Sequence, residues 1–249
     1  MAMIELSRAE PPDELDADCK AKLTMEFAAT GSPVWNQPYV RNALLQSSHS
    51  KCCYCEANIE EESKYMEVDH FRCKNDFPEL VLDWANLLPS CKRCNGRKSS
   101  HNVETDGMIL NPFEDSPPVH LFMLNYRIRW KDEIGRATID ALYLNDSDRM
   151  VTVRTKIGDA VSAALDRIRG NLEEYLTTTN TERKRRMVVR GIEKLLLESL
   201  PPAEYSATTA TVLLSDPDYS WIRERLVDNG LWDEFGNLED RARSSALLP

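Results

Sequence analysis

Lys51-Cys52-Cys53-Tyr54-Cys55-Glu56 opens the stretch on which the reading of this chain turns, and Cys91-Lys92-Arg93-Cys94-Asn95-Gly96-Arg97-Lys98 closes it; Val68-Asp69-His70 and Asn86 lie between. A C-x-x-C pair folds into a tight knuckle that aims two thiolates at one point, so two pairs make the tetrahedral four-sulfur shell that zinc prefers in closed sites. Cys52, Cys55, Cys91 and Cys94 are therefore expected to hold structural Zn2+ rather than to be ordinary buried thiols. Such an ion has no open coordination position, and its work is to tie together the ends of the intervening loop. Chemistry has to come from what the loop carries.

Tyr65-Met66-Glu67-Val68-Asp69-His70-Phe71 reads as a short strand ending in an acid and an imidazole, and a helix is expected from about Asn95. A carboxylate and an amide oxygen are hard ligands that suit Mg2+ or Mn2+, which leaves His70 free to act as a base. Neighbours on a regular strand point to opposite faces, so Asp69 and His70 share a cleft only at a strand end, where they are expected.

These residues resemble the HNH endonucleases. The resemblance implies a zinc-tied ββα-metal, treble-clef-like finger, with His70 as general base, Asp69 and Asn95 as ligands of a catalytic Mg2+ or Mn2+, and Asn86 bracing the loop that carries the base. The third motif position is Asn, the H-N-N variant. Lys51 to Glu56, Asp69-His70-Phe71-Arg72, Asp83-Trp84-Ala85-Asn86-Leu87-Leu88 and Leu110-Asn111-Pro112 follow in the order of the PtuB-like branch. That branch supplies the nuclease of Septu and of some retron anti-phage systems. The likeness therefore implies phosphodiester hydrolysis in DNA or tRNA and a hetero-oligomer with a PtuA-like ATPase. Cys73 stands where the branch usually has proline.

Working outward, 249 residues with 42% hydrophobic content bury a core of one compact domain or two small ones. The opening Met1-Ala2-Met3-Ile4-Glu5-Leu6 lacks the basic start and long apolar stretch of a signal peptide, and no apolar run reaches membrane-spanning length, so a cytoplasmic location is expected. Cys19, Cys53 and Cys73, outside the zinc set, suit a reducing compartment as small buried groups.

A net charge of -10 opposes nucleic-acid binding, which rests on Lys and Arg meeting phosphates. The charge is uneven: Lys64 to His101 holds seven basic residues against five acidic ones, making this segment +2 and the remainder -12. Arg72, Lys74, Arg97 and Lys98 are expected at phosphates beside the metal, whereas Lys92 and Arg93 read equally well as a solvated knuckle. Since the rest of the surface repels polyanions, tight substrate binding calls for a partner with positive surface.

The expected fold class is α+β, mainly α, in three parts. Residues 1–50 pack on the finger, with a short helix over Pro38 to Leu45 and Trp35 in the core rather than stacking on a base. Residues 51–135 form the nuclease domain, ending in a strand from Tyr126 to Trp130. Residues 136–249 are helical and dock a partner: one long helix through Met150, Ile157, Leu165 and Leu176, a second from about Thr181 to Leu200, and a third from Tyr219 to Asp228 with Gly230 beyond it. Arg183-Lys184-Arg185-Arg186 with Arg190 is a solvated face or a contact to nucleic acid or an acidic partner. His101 and His120 read as structural. The rival functional reading is a non-catalytic zinc-knuckle module, binding nucleic acid or serving as an adaptor subunit of the ATPase complex.

Overall fold

The computed structural model describes residues 3–61, 65–178 and 180–249, so Lys64 and the first two residues lie outside it. The chain is mainly helical with two small sheets, and it divides into two compact units.

The first unit comprises Met3–His120 and Arg129–Leu144. Helix α1 (Ala17–Thr30) starts where the Asp16 carboxylate accepts the Cys19 N–H and stops at Gly31, whose φ of 69° suits glycine at a helix end. It buries none of its residues, so periodicity carried no sign of it. Helix α2 (Pro38–Ser47) begins on Pro38, as expected, and buries Val40 and Leu44. Strand β1 (Met66–His70) pairs antiparallel with β2 (Leu87–Cys91), setting Met66 opposite Cys91 and His70 opposite Leu87. Helix α3 (Lys92–Lys98) follows at once, capped by the Cys91 sulfur, which accepts the Cys94 N–H at 3.4 Å. Two strands and a helix thus converge on the second cysteine pair.

A short helix α4 (Pro117–His120) leads to β3 (Leu121–Leu124) and β4 (Arg127–Trp130), which form the second sheet. Asn125 and Tyr126, both at positive φ, make the two-residue turn. Helix α5 (Glu133–Leu142) packs on α3, and residues 129–144 fall in the same compact unit as the finger.

The second unit, Leu121–Ile128 with Asn145–Pro249, is built on α6 (Thr152–Thr177), α7 (Glu182–Leu197), α8 (Ser206–Ser215), α9 (Pro217–Asp228) and α10 (Gly236–Ser245). Val161, Leu165 and Ile168 of α6 meet Val188 and Ile192 of α7 in a single core with Tyr219, Ile222 and Trp232. At the α6–α7 crossing a Cβ on Gly191 would sit 2.8 Å from the Ile168 side chain, so the close approach requires glycine. Helices α8 and α10 went unread because their patterns carry no stripe: α8 is buried nearly all round, and α10 is mostly polar. The Arg183–Arg186 run is a solvated face in large part, with Lys184 paired to Glu174 and Arg185 to Glu182. Among the described residues no helix is long and apolar enough to cross a membrane.

Candidate active site

Cys52 and Cys55 lie in the knuckle before β1, Cys91 ends β2, and Cys94 sits in the first turn of α3. Their four sulfurs all lie within 4.8 Å of one another. Hydrogen bonds from Cys52, Cys55 and Cys94 hold the Cys91 sulfur far below the usual thiol range, while Cys55 and Cys94 are pushed well above it. The donor set fits a thiophilic cation in a closed site. The other cysteines are separate. Cys53 is buried, which pushes its thiol well up and makes it inert, and Cys73 donates to Asp76 Oδ2 at 3.0 Å.

His70 is the last residue of β1. Its Nε2 lies 3.0 Å from the Val81 carbonyl, which can only accept, so Nε2 carries the hydrogen and Nδ1 is the bare nitrogen of the neutral ring. Burial, with Lys74 and Lys98 nearby, pulls its pKa down to about 4. The neutral, proton-accepting form is therefore the resting one at pH 7.

Asn86 explains how this carbonyl stays in place. Its Oδ1 accepts the Arg72 N–H at 2.7 Å, while its Nδ2 donates to the Arg72 and Leu80 carbonyls, both at 3.1 Å. Arg72 is two residues beyond the imidazole and Leu80 one residue before Val81, so a single amide joins the two turns that the His70–Val81 bond spans. The bracing role expected of Asn86 has this geometry.

The depressed pKa of His70 has a consequence for stability. Stability from the buried neutral ring is present above the unfolded value near 6.5 and falls as pH drops towards about 4. The full loss is about 3 kcal/mol. Urea unfolding between pH 7 and 4 is expected to show this slope, and His70→Gln to lack it; equal slopes would mean that the ring titrates normally.

On the other side of the strand end, Asp69 Oδ2 accepts from Tyr54 Oη at 2.7 Å and Oδ1 from Lys98 Nζ at 3.2 Å. Lys98 also donates to the His70 carbonyl at 2.6 Å. This corrects the expectation for Lys98. Its side chain is 0% exposed because the buried Asp69 needs a counter-charge and α3 packs on β1, so it faces the finger's interior and not a phosphate.

Asn95 Nδ2 donates to Glu67 Oε2 at 2.8 Å. Glu67, missed in the sequence, stands two residues before Asp69 and so on the same face of β1; the strand's period of two was the signal. Glu67, Asp69, His70 and Asn95 line one cleft of about 460 Å³, together with Trp35, Arg41 and Lys74. The residues expected as base and as oxygen ligands therefore line a common space, and carboxylates beside an amide are a donor set that fits a hard divalent cation.

The basic residues are spread more widely than their spacing implied. Lys74 lines the cleft. Arg72 pairs with Glu104, and the Arg97 guanidinium sits 4.9 Å from the Tyr143 ring centre. A ring nitrogen of His101 lies 2.8 Å from the Gly107 carbonyl, and one of His120 lies 2.6 Å from the Asp132 carboxylate.

The family model for HNH endonucleases matches residues 52–101, the span from the first knuckle to the end of the basic turn after α3. A Septu protein PtuB of Bacillus thuringiensis is 42% identical over 248 residues, covering 99% of this chain and 96% of that one. Another Septu protein PtuB, of Bacillus mycoides (strain KBAB4), is 33% identical over a stretch covering 33% of this chain and 37% of the other. No solved structure matches the chain. Identity sustained over almost the whole length, with the HNH match falling on the finger, means that the chain belongs to the PtuB family of HNH endonucleases.

Proposed function

We propose that this chain is the nuclease of an anti-phage defence system, cutting nucleic-acid strands internally with His70 as general base and working beside a PtuA-like ATPase. The observation that carries the reading is the His70 ring: buried, neutral, fixed by Val81 through Nε2, and lining a cleft with two carboxylates and an amide. A zinc knuckle that only binds or bridges has no use for such a base.

In this reading His70 Nδ1 takes a proton from a water molecule, whose oxygen attacks phosphorus as the P–O bond to the leaving oxygen breaks. The Val81 carbonyl favours the imidazolium that forms, because Nε2–H is already its donor. Asp69 and Asn95, with Glu67 beside them, would hold Mg2+ or Mn2+, which when bound would supply positive charge against the negative charge building on the phosphoryl oxygens. Burial pushes the Asp69 carboxyl up, and Tyr54 and Lys98 oppose that shift and hold its oxygens in place. Zn2+ on Cys52, Cys55, Cys91 and Cys94 holds the finger closed. Lys74 contacts a flanking phosphate, and the ATPase supplies the positive surface that the -12 remainder of the chain lacks.

The test is cleavage of plasmid DNA and of tRNA by purified chain, with and without the ATPase, in Mg2+, Mn2+ or chelator. Internal cuts are expected only with a divalent cation, and sequencing the ends from infected cells identifies the target. Cleavage in chelator, or none with the ATPase and either ion, would sink the proposal.

A further inference from the structure

Trp35 lies outside residues 52–101, the span that matches the HNH family, yet its ring meets His70 directly. The ring centres are 4.7 Å apart and the planes cross at 84°, an edge-to-face contact. A histidine held by one hydrogen bond can still swing about its Cα–Cβ bond, and an aromatic wall against the ring removes that freedom. The wall is itself held. Phe27 of α1 backs the Trp35 ring at 5.7 Å, Lys74 Nζ stands 5.4 Å from its centre, and Arg41 of α2 donates to the Met66 carbonyl at 2.8 Å. That last bond ties the segment carrying Trp35 to the strand that carries the base.

We propose that Trp35 is a positioning residue for His70, so that the chain before the finger completes the nuclease site instead of merely packing on it. The inference rests on the assignment of His70 as base. Trp35 is half-buried, with His70 and Phe27 in edge-to-face contact with its ring and Lys74 near its centre. A base displaced by about 1 Å loses on the order of 100-fold in rate, so the effect belongs in kcat and not in KM.

The experiment compares full-length Trp35→Leu, Trp35→Phe and Phe27→Ala with wild type for zinc content, melting temperature, and kcat and KM on a cleavable nucleic acid in saturating Mn2+. Trp35→Leu is expected to lower kcat by about 10- to 100-fold with KM within about twofold, and Trp35→Phe to recover most of the rate. Phe27→Ala removes the backing ring from a helix that buries no residue, so it keeps the fold and loses several-fold in kcat. Should Trp35→Leu fail to hold zinc, Phe27→Ala and Trp35→Phe decide. Unchanged kcat in Phe27→Ala, equal kcat in the Leu and Phe variants, or a change in KM alone would overturn the proposal. His70→Ala separates the two claims: if it cuts like wild type the base assignment fails, whereas an inactive His70→Ala beside a fully active Trp35→Leu defeats only the role of Trp35.

Discussion

His70→Ala is expected to lower metal-dependent cleavage by about a thousandfold while leaving bound zinc and the melting temperature close to wild type. A positioned general base contributes about 10² to 10⁴ in rate. Here the upper half of that range applies, because no second ring replaces the one removed: among the residues described, none of His49, His101 and His120 lines the cleft. The structural cost is small by comparison. The substitution frees one acceptor, the Val81 carbonyl, and removes the ring from its contact with Trp35, but the Asn86 amide still joins Arg72 to Leu80 and both turns keep their shape. A loss of rate without a loss of metal separates a base from a packing residue. Cleavage by His70→Ala at the wild-type rate would remove the imidazole from the mechanism, and the reading of the cleft with it.

How far such an outcome could be foreseen from the sequence depends on the distance over which each feature is specified. The cysteine pairs were legible because a C-x-x-C knuckle is complete within four residues, and the strand ending in Asp69 and His70 was legible from its own short pattern. Lys98 was not. Its basic neighbours marked it for a phosphate, and only the packing of α3 on β1 turns it toward a buried carboxylate. Glu67 could have been found by applying the same strand period that was used to question the Asp69–His70 pair. Trp35 could not, since nothing near it in sequence says that α1 and α2 carry it to the base. Helices α1 and α8 share one cause: an amphipathic stripe is visible only when one face is buried and the other is not, whereas α10 buries one face but fills it with Glu239, Ala242 and Ser245, which make no apolar stripe.

Cys91→Ser is expected to lose bound zinc and to unfold the finger, a larger effect on stability than any other single substitution in this unit. Cys91 ends β2 opposite Met66 of β1, caps α3 through its sulfur, and stands with three other thiols within 4.8 Å. Serine is itself a good cap and nearly the same size, so the substitution preserves the helix start and removes chiefly the thiolate. Structural zinc contributes on the order of 10 kcal/mol in small fingers, comparable to the whole stability of an ordinary domain. Without it the β1–β2 pairing loses its tie to α3, and the turns that set Val81 against His70 lose theirs. The helical unit has its own apolar core and is expected to keep its helical signal. Metal analysis and thermal melting of Cys91→Ser should therefore show zinc gone and the finger's transition lost while a helical transition survives. Full zinc content with an unshifted melting curve would mean that the four sulfurs do not hold the ion, and that the finger stands on its packing alone.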